Sequence, residues 1–178
     1  MTPKILLPFA GVLAVLGLFY LGLQVDSREL PSPLIDRPAP AFELQSLTEP
    51  DRTLTEQDFI GEVALVNVFA SWCSSCWAEH SNLVELERRG ITIHGLNYRD
   101  ERPAALRYLR RGGNPYTHIA FDPRGDAGME WGVYATPETF LLDANGRIRH
   151  KHVGPLDAQV IREEFLPRIE QLTAEAAS

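Results

Sequence analysis

The sequence predicts an α/β domain preceded by an N-terminal transmembrane helix. Strand-like and helix-like segments alternate along most of the chain, which is typical of a largely parallel sheet with helices packed against it. Residues 5–23 carry no charged side chain, and one Cys-x-x-Cys pair, Cys73 and Cys76, lies between a predicted strand and a predicted helix. The chain has 178 residues, which is enough for one domain with extensions.

The uncharged N-terminal segment from Ile5 to Leu23 has the length of a membrane span. As a helix it would extend about 28 Å, close to the roughly 30 Å of a bilayer's hydrocarbon core. Lys4 precedes it, which favours a cytoplasmic N-terminus. A cleaved signal peptide is an alternative, although no pair of small residues for cleavage follows. A helix buried on all sides of a core is another. We therefore expect an uncleaved anchor over residues 1–24.

The segment that follows the anchor is rich in proline, with Pro31 and Pro33 among mixed charges. Such a composition predicts an extended tether, which we place at residues 25–37. The folded domain is then expected to cover residues 38–178.

The first half of this domain shows strand and helix patterns on both sides of the cysteine pair. Residues 41–44 alternate and predict a short strand, and residues 53–59 predict a strand end followed by a helical turn. Residues 63–68 are apolar and β-branched, as in a buried strand. Residues 78–89 are rich in helix formers and end at Gly90, a helix stop. The cysteines therefore sit where a strand ends and a helix begins.

The second half continues the alternation and ends in a hairpin. The predicted elements are a strand at 91–96, a helix at 102–111, a strand at 118–121, a short helix at 126–134, strands at 138–143 and 147–153, and a helix at 157–172. Asn145-Gly146 is a hairpin turn signal between the last two strands. Asp157 is expected to cap the last helix and Pro167 to kink it.

The charge of the chain excludes one class of partner. The formal net charge is −7, and no basic face is apparent in the sequence. Binding of phosphates requires such a face, so we expect no nucleic-acid partner.

Several kinds of site use two cysteines at this spacing. A structural disulfide would close too small a loop to remove much entropy from the unfolded chain. A zinc site usually has four ligands, and Cys73, Cys76 and His80 supply three at most. Covalent haem attachment needs a histidine after the second cysteine, where Trp77 stands. We therefore favour a reversible dithiol/disulfide, because unpaired N–H groups at a helix start stabilise the reactive thiolate.

Pro137 opens a predicted strand, one of the few places where a sheet tolerates proline. A strand, a Cys-x-x-Cys pair at a helix start and a later X-Pro before a hairpin together resemble the thioredoxin fold. In that fold the proline is cis and faces the cysteines, so the resemblance implies a cis Thr136-Pro137 bond, with a trans bond as the alternative. Thr136 is then expected to offer its backbone to an extended peptide substrate.

Four segments make the resemblance more specific: Leu65 to Cys73, Ala78-Glu79-His80, Gly95 to Asp100, and Gly132 to Phe140. Together they resemble the DsbE/CcmG family, the membrane-anchored periplasmic thioredoxin-like reductases of bacterial cytochrome c maturation. The resemblance covers roughly Pro38 to the end of the chain.

Membership of that family implies a thiol-disulfide oxidoreductase, a protein-disulfide reductase held by a single span in the bacterial inner membrane with its catalytic domain in the periplasm. Cys73 would attack a substrate disulfide and Cys76 would resolve the mixed disulfide. The implied substrate is apocytochrome c or a maturation protein linked to it, and the implied electron donor is a membrane transporter of the DsbD/CcdA type. No metal, and no cofactor besides the Cys73-Cys76 disulfide, is expected.

Glu79 and Glu138 occupy the positions of acidic neighbours of the cysteines in that family. Nearby carboxylates raise the pKa of a thiol, whereas a helix start lowers it. We expect one of the two to accept the proton of Cys76, because Asn67 stands where thioredoxins carry a buried aspartate and cannot take a proton. The alternatives are a solvated helix face for Glu79, a strand-edge charge for Glu138 and a hydrogen-bonded helix histidine for His80.

Trp72 and Trp77 flank the cysteines and are assigned to substrate binding together with Thr136 and Pro137, with partial burial as the alternative for Trp77. Ser74-Ser75 stands where relatives usually have a proline between the cysteines, and it leaves two N–H donors that shift the reduction potential. A general periplasmic disulfide oxidase or isomerase is therefore an alternative function, and a Cys/His metal carrier is another.

Overall fold

The computed structural model describes residues 11–13, 15–20 and 32–177. Residues 11–13 and 15–20 are helical, and within the described ranges no helix is long and apolar enough to cross a membrane. The predicted span over residues 5–23 lies partly outside these ranges. A boundary after Pro31 separates the N-terminal unit from the unit that begins at Ser32.

The second unit contains seven strands and four helices among its described residues. The strands are β1 (Glu43–Gln45), β2 (Thr53–Thr55), β3 (Ala64–Phe69), β4 (Thr92–Tyr98), β5 (Ile119–Asp122), β6 (Glu138–Leu142) and β7 (Ile148–Val153). The helices are α1 (Ser74–Arg88), α2 (Arg102–Gly112), α3 (Asp126–Glu130) and the composite α4, built from Ala158–Val160, the π-helical turn Ile161–Phe165 and Leu166–Ala176. A 3-10 turn, Glu56–Phe59, follows β2.

The main sheet has the strand order β5-β4-β3-β6-β7. Strands β3, β4 and β5 are parallel, β6 is antiparallel to β3, and β7 returns antiparallel to β6. This confirms the predicted α/β class with a terminal antiparallel hairpin. All six residues of β3 are buried, because a central strand covered on both faces has no solvated side.

Side chains that alternate along the strands place a hydrophobic core on each face of the sheet. On one face, Leu65 and Phe69 of β3 belong to a core with side chains of the long helices α1, α2 and α4. On the other, Val66 and Val68 belong to a core with the β1-β2 hairpin, the 3-10 turn and Trp131. The long helices are therefore concentrated on one side of the sheet.

The segment before β1 corrects the predicted boundary between tether and domain. Residues 33–36, predicted as part of an extended tether, form a turn in which the Asp36 N–H donates to the Ile148 carbonyl at 2.7 Å. Leu34 packs against the second core, so this stretch has apolar surface to bury despite its prolines. The domain thus includes part of the predicted tether, and residues 25–31 lie outside the described ranges.

Two features of α4 lie at the start of the C-terminal helix and just before Pro167, where the sequence predicted a cap and a kink. The Asp157 carboxylate accepts the N–H groups of Gln159 and Val160, so it is the N-cap. Pro167 follows a π-helical turn, which is a wider winding than the α-helix. The helix continues beyond Pro167 to Ala176.

Candidate active site

The cysteine pair lies at the carboxyl end of β3, where the chain turns into α1. Cys73 is the N-cap of α1, its sulfur joined to that of Cys76 in a disulfide with the two Cα atoms 5.3 Å apart. The Cys76 N–H donates to the Cys73 Sγ at 3.1 Å. The Cys73 sulfur thus occupies the position of a capping oxygen, where unpaired helix N–H groups favour a negative charge.

The two cysteines differ in exposure. Cys73 is 5% exposed and Cys76 is 0% exposed. Both residues are thus buried, and Cys73 keeps the small residual exposure of the pair.

The loop between β3 and Cys73 is fixed by the loop that follows β4. The buried Asp100 carboxylate accepts the Ser71 N–H at 2.6 Å and the Ser71 hydroxyl at 2.7 Å, and it also accepts the Asn97 side-chain amide. Because β3 and β4 are parallel, their carboxyl ends meet at the same edge of the sheet. Asn97 and Asp100 belong to the segment from Gly95 to Asp100, which is one of the four that carry the family resemblance. Their support of the loop before Cys73 is visible only in the structure.

Trp72 is held at the surface beside the disulfide. Its side chain is 60% exposed, while its indole N–H donates to the Arg99 carbonyl at 2.9 Å. Arg99 has a positive φ of 47°, a conformation that non-glycine residues adopt infrequently. The exposed ring is therefore anchored at one point.

Glu79 is buried, in contrast to the alternative of a solvated helix face. Its residue exposure is 1%, and its carboxylate accepts the Asn67 side-chain amide at 2.9 Å and the Leu156 backbone N–H at 2.7 Å. Burial raises the pKa of Glu79 to about 7, although both hydrogen bonds favour the charged form. A carboxyl group with such a pKa can gain or lose a proton near neutral pH.

Asn67 connects Glu79 to a buried polar network on β3. Besides Glu79, its amide donates to the Thr139 hydroxyl at 3.0 Å, and its carbonyl oxygen accepts the Tyr116 hydroxyl at 2.9 Å. The Tyr108 hydroxyl donates to the carbonyl of Cys76 at 3.0 Å. Burial raises the pKa of both tyrosines above its usual range, so they remain protonated donors. No local sequence pattern indicates a role for Thr139, Tyr108 or Tyr116 in this network.

Glu138 is also fully buried, and both of its carboxylate oxygens have partners. Oε1 accepts the backbone N–H groups of Tyr134 and Ala135 at 3.0 Å each. Oε2 lies 2.8 Å from the Lys151 Nζ, whose side chain is 7% exposed. The alternative of a solvated strand-edge charge is therefore wrong, because Glu138 forms a buried ion pair. Nothing in the sequence indicated Lys151, since lysine in a strand is usually solvated.

The Thr136-Pro137 peptide bond is cis. Pro137 is buried and Thr136 is partly exposed, at the start of β6 beside β3. Two residues earlier, Tyr134 is 70% exposed.

Trp77 and His80 lie on α1 beyond the cysteines. Trp77 is 37% exposed and packs against Tyr108 with ring centroids 4.2 Å apart, and the guanidinium of Arg111 lies 5.5 Å from the Trp77 ring. His80 is buried, with its Nε2 3.0 Å from the Gly113 carbonyl oxygen. Burial lowers the pKa of His80. Trp77 thus keeps exposed surface while it packs against Tyr108, and His80 is a hydrogen-bonded helix histidine.

The metal-carrier alternative receives no support from the geometry. Within residues 11–13, 15–20 and 32–177, no group of three or more His, Cys, Asp or Glu side chains is arranged to hold a metal ion.

Comparison with known proteins places most of the chain in one family. Residues 35–164 match the family model described as Redoxin. A thiol:disulfide interchange protein DsbE from Allochromatium vinosum is 52% identical over 165 residues, covering 92% of this chain and 91% of the relative. Proteins of the same name are 46% identical in Pseudomonas aeruginosa, over 96% of this chain and 95% of the relative, and 44% identical in Escherichia coli K12, over 85% and 83%.

Solved structures share the fold. The thioredoxin domain of a thiol-disulfide oxidoreductase from Bacteroides vulgatus aligns with a TM-score of 0.65 at 19% identity, over 80% of this chain and 99% of that domain. A secreted thiol-disulfide isomerase from Corynebacterium glutamicum aligns with a TM-score of 0.64 at 23% identity, over 74% and 85%. These likenesses show a thioredoxin-like fold.

Proposed function

Because the chain belongs to the Redoxin family, among the DsbE thiol:disulfide interchange proteins, we propose that it reduces disulfides during cytochrome c assembly. The protein is a thiol-disulfide oxidoreductase. The observation that carries the proposal is the Cys73-Cys76 disulfide at the start of α1, in which Cys73 keeps slight exposure and Cys76 keeps none.

The first step begins with the reduced protein. The Cys73 thiolate, stabilised by the N–H groups at the helix start, attacks one sulfur of the substrate disulfide. The substrate S–S bond breaks and a mixed disulfide forms between Cys73 and the substrate. The second substrate sulfur leaves as a thiolate and takes a proton from solvent.

The second step uses Cys76 and Glu79. Glu79 lies one turn after Cys76 on the buried side of α1, and its pKa of about 7 suits a proton acceptor at neutral pH. It takes the Cys76 proton, and the resulting thiolate attacks the Cys73 sulfur. The Cys73-Cys76 bond forms, and the first substrate sulfur leaves with both substrate cysteines reduced. Two electrons from a donor then restore the dithiol.

The substrate is proposed to dock as an extended peptide over Thr136 and Pro137. The partly exposed Thr136 offers backbone groups for strand-like pairing. Trp72 and Trp77 add exposed aromatic surface on either side of the cysteines, and aromatic residues are frequent at binding hot spots.

Partners and location follow from the resemblance to the DsbE/CcmG family. We propose apocytochrome c, or a maturation protein disulfide-linked to it, as the substrate, and a DsbD/CcdA-type membrane transporter as the electron donor. The uncharged residues 5–23 support a single-span anchor in the bacterial inner membrane, with the catalytic domain in the periplasm.

A general disulfide oxidase is the second candidate, favoured by Ser74-Ser75, which leaves both backbone N–H donors at the helix start. The reduction potential of the Cys73-Cys76 pair separates the two functions. We expect a reducing value, and a potential near the roughly −120 mV of strongly oxidising proteins would contradict the reductase.

Replacing the resolving cysteine tests the proposed substrate. In Cys76→Ser the mixed disulfide at Cys73 persists, because no second thiol attacks it. We expect cells that express this full-length variant to accumulate an adduct containing apocytochrome c or a maturation protein, identified by mass spectrometry. Cys73→Ser is the matched control and should trap neither. An adduct pool without any cytochrome c maturation component would refute the assigned role but leave the redox chemistry intact.

A further inference from the structure

We propose that Lys151 is a positioning residue of this active site, which together with Glu138 holds the loop from Gly132 to Thr136 in the shape that docks the substrate peptide. The inference rests on the proposed function, in which Thr136 pairs with the substrate backbone. Lys151 itself lies on β7, one strand beyond the strand that Thr136 precedes.

Lys151 contacts two residues of the loop, Gly132 and Tyr134, and two residues of β6. Its ammonium lies 2.8 Å from the Glu138 Oε2 and donates to the Gly132 carbonyl at 2.8 Å. The same nitrogen lies 4.8 Å from the centroid of the Tyr134 ring and 5.1 Å from that of Phe140, within the range of cation–π attraction. One cation therefore fixes the first residue of the loop and the ring of its third residue.

Glu138 fixes the middle of the loop from the other side. Its Oε1 accepts two successive backbone N–H groups, those of Tyr134 and Ala135. These are the two residues that immediately precede Thr136. Lys151 binds the Gly132 carbonyl, so both members of the ion pair hold the loop. Little conformational freedom remains in the residues that precede Thr136.

Stability alone is a weak explanation for this pair. Removing two charges from water costs more than their attraction repays in many proteins, and apolar replacements are often neutral or stabilising. What an apolar pair cannot supply is an acceptor for two adjacent N–H groups and a donor for a carbonyl. The ion pair thus fixes the geometry of the loop that leads into β6, where β6 pairs with the last residues of β3.

The contacts also separate the tasks of the two acidic residues. Both oxygens of Glu138 are engaged by the loop and Lys151, whereas Glu79 accepts neutral donors only. We expected one of them to carry the Cys76 proton, and the contacts assign that task to Glu79 and the positioning of the loop to Glu138.

The test compares the reduction of a disulfide-containing peptide with that of a small disulfide that has no peptide backbone. Reduced full-length protein is mixed with an oxidised Cys-x-x-Cys peptide or with 2-hydroxyethyl disulfide, and single-turnover oxidation is followed by tryptophan fluorescence. In Lys151→Met we expect the peptide concentration at half-maximal rate to rise roughly tenfold, with the limiting rate and the rate for 2-hydroxyethyl disulfide unchanged. Amide exchange at Tyr134 and Ala135 should accelerate.

Two double variants separate geometry from charge and guard against misfolding of the single variant. Lys151→Met with Glu138→Gln removes the ion pair but keeps an oxygen acceptor for the two N–H groups, so part of the peptide affinity should return. Lys151→Met with Glu138→Leu keeps the site uncharged without that acceptor, so affinity should stay low. Arg149→Met, which removes an ion-paired cation two residues away on β7, is the matched control.

Two results would overturn the inference. One is unchanged peptide affinity in Lys151→Met despite faster exchange at the two amides. The other is an equal loss with peptide and with 2-hydroxyethyl disulfide, because the pair would then act on the thiolate instead of the docking loop. In both cases wild-type reduction of the peptide persists. Failure of the proposed function would show itself differently, as no reduction of the peptide by the wild type.

Discussion

At the scale of single residues, the most informative side chain is the carboxyl group of Glu79. It has lost nearly all contact with water and accepts two hydrogen bonds from neutral donors, Asn67 and the Leu156 backbone. Such donors only partly replace hydration, so the charged form is disfavoured. The same environment that makes ionisation costly makes the group a proton acceptor near neutral pH.

This burial predicts how stability depends on pH. Because folding raises the pKa of Glu79 from 4.5 to about 7, the folded state binds the proton more tightly than the unfolded state between these values. The contribution of Glu79 to the free energy of unfolding is therefore fully present below pH 4.5 and is lost as the pH rises through 7. Between these pH values, the free energy of unfolding of the wild type should fall by about 3 kcal/mol relative to that of Glu79→Gln.

Urea unfolding of both proteins at several pH values measures this difference, and other titrating groups cancel in the comparison. Glu85→Gln, at an exposed position on the same helix, should show the same pH dependence of the free energy of unfolding as the wild type. A constant difference between wild type and Glu79→Gln across the window would refute the raised pKa.

At the scale of elements, the turn between β7 and α4 holds the helix that carries the cysteines. The Leu156 N–H donates to Glu79, and the Leu156 carbonyl accepts the Asn82 amide at 2.7 Å, so one residue binds α1 at two positions one turn apart. Asp157, which follows, caps α4 with two hydrogen bonds of 2.8 Å. The start of α4 thus fixes the backbone that contacts Glu79.

Loss of this cap should weaken the fold measurably. Asp157→Ala leaves two N–H groups at the start of α4 without their acceptor, and we expect a decrease of about 1 kcal/mol in the free energy of unfolding. Asp126→Ala is the control, because Asp126 follows the N-cap Gly125 of α3 and forms an exposed ion pair with Arg124. Urea denaturation should show a smaller effect there, and equal losses would argue against the capping role.

At the scale of the whole domain, the sheet has its long helices on one face and the N-terminal hairpin on the other. The turn before that hairpin completes the second face. Its backbone donates to β7 and its Leu34 and Ile35 side chains pack against the core. Residues 32–40 thus contribute to the domain although their proline content is typical of a linker.

Two fragments test where the domain begins. A fragment of residues 32–178 should fold and retain a reducible disulfide. A fragment of residues 42–178 should be less stable by about 2 kcal/mol or more, because it loses buried apolar side chains and hydrogen bonds to β7. Thermal unfolding of both fragments provides the comparison. Equal stability of the two fragments would show that residues 32–41 act as a tether and do not stabilise the domain.

The sequence by itself determined the order of elements and the position of the cysteines at a helix start. Apolar periodicity, Gly90, Asn145-Gly146 and Asp157 act over a few residues, so their consequences can be derived locally. The tertiary structure decided the burial of Glu79, the ion pair of Glu138 with Lys151 and the support of Ser71 by Asp100. Burial and pairing depend on which distant segment covers a residue, and in a single sequence no local pattern records that packing.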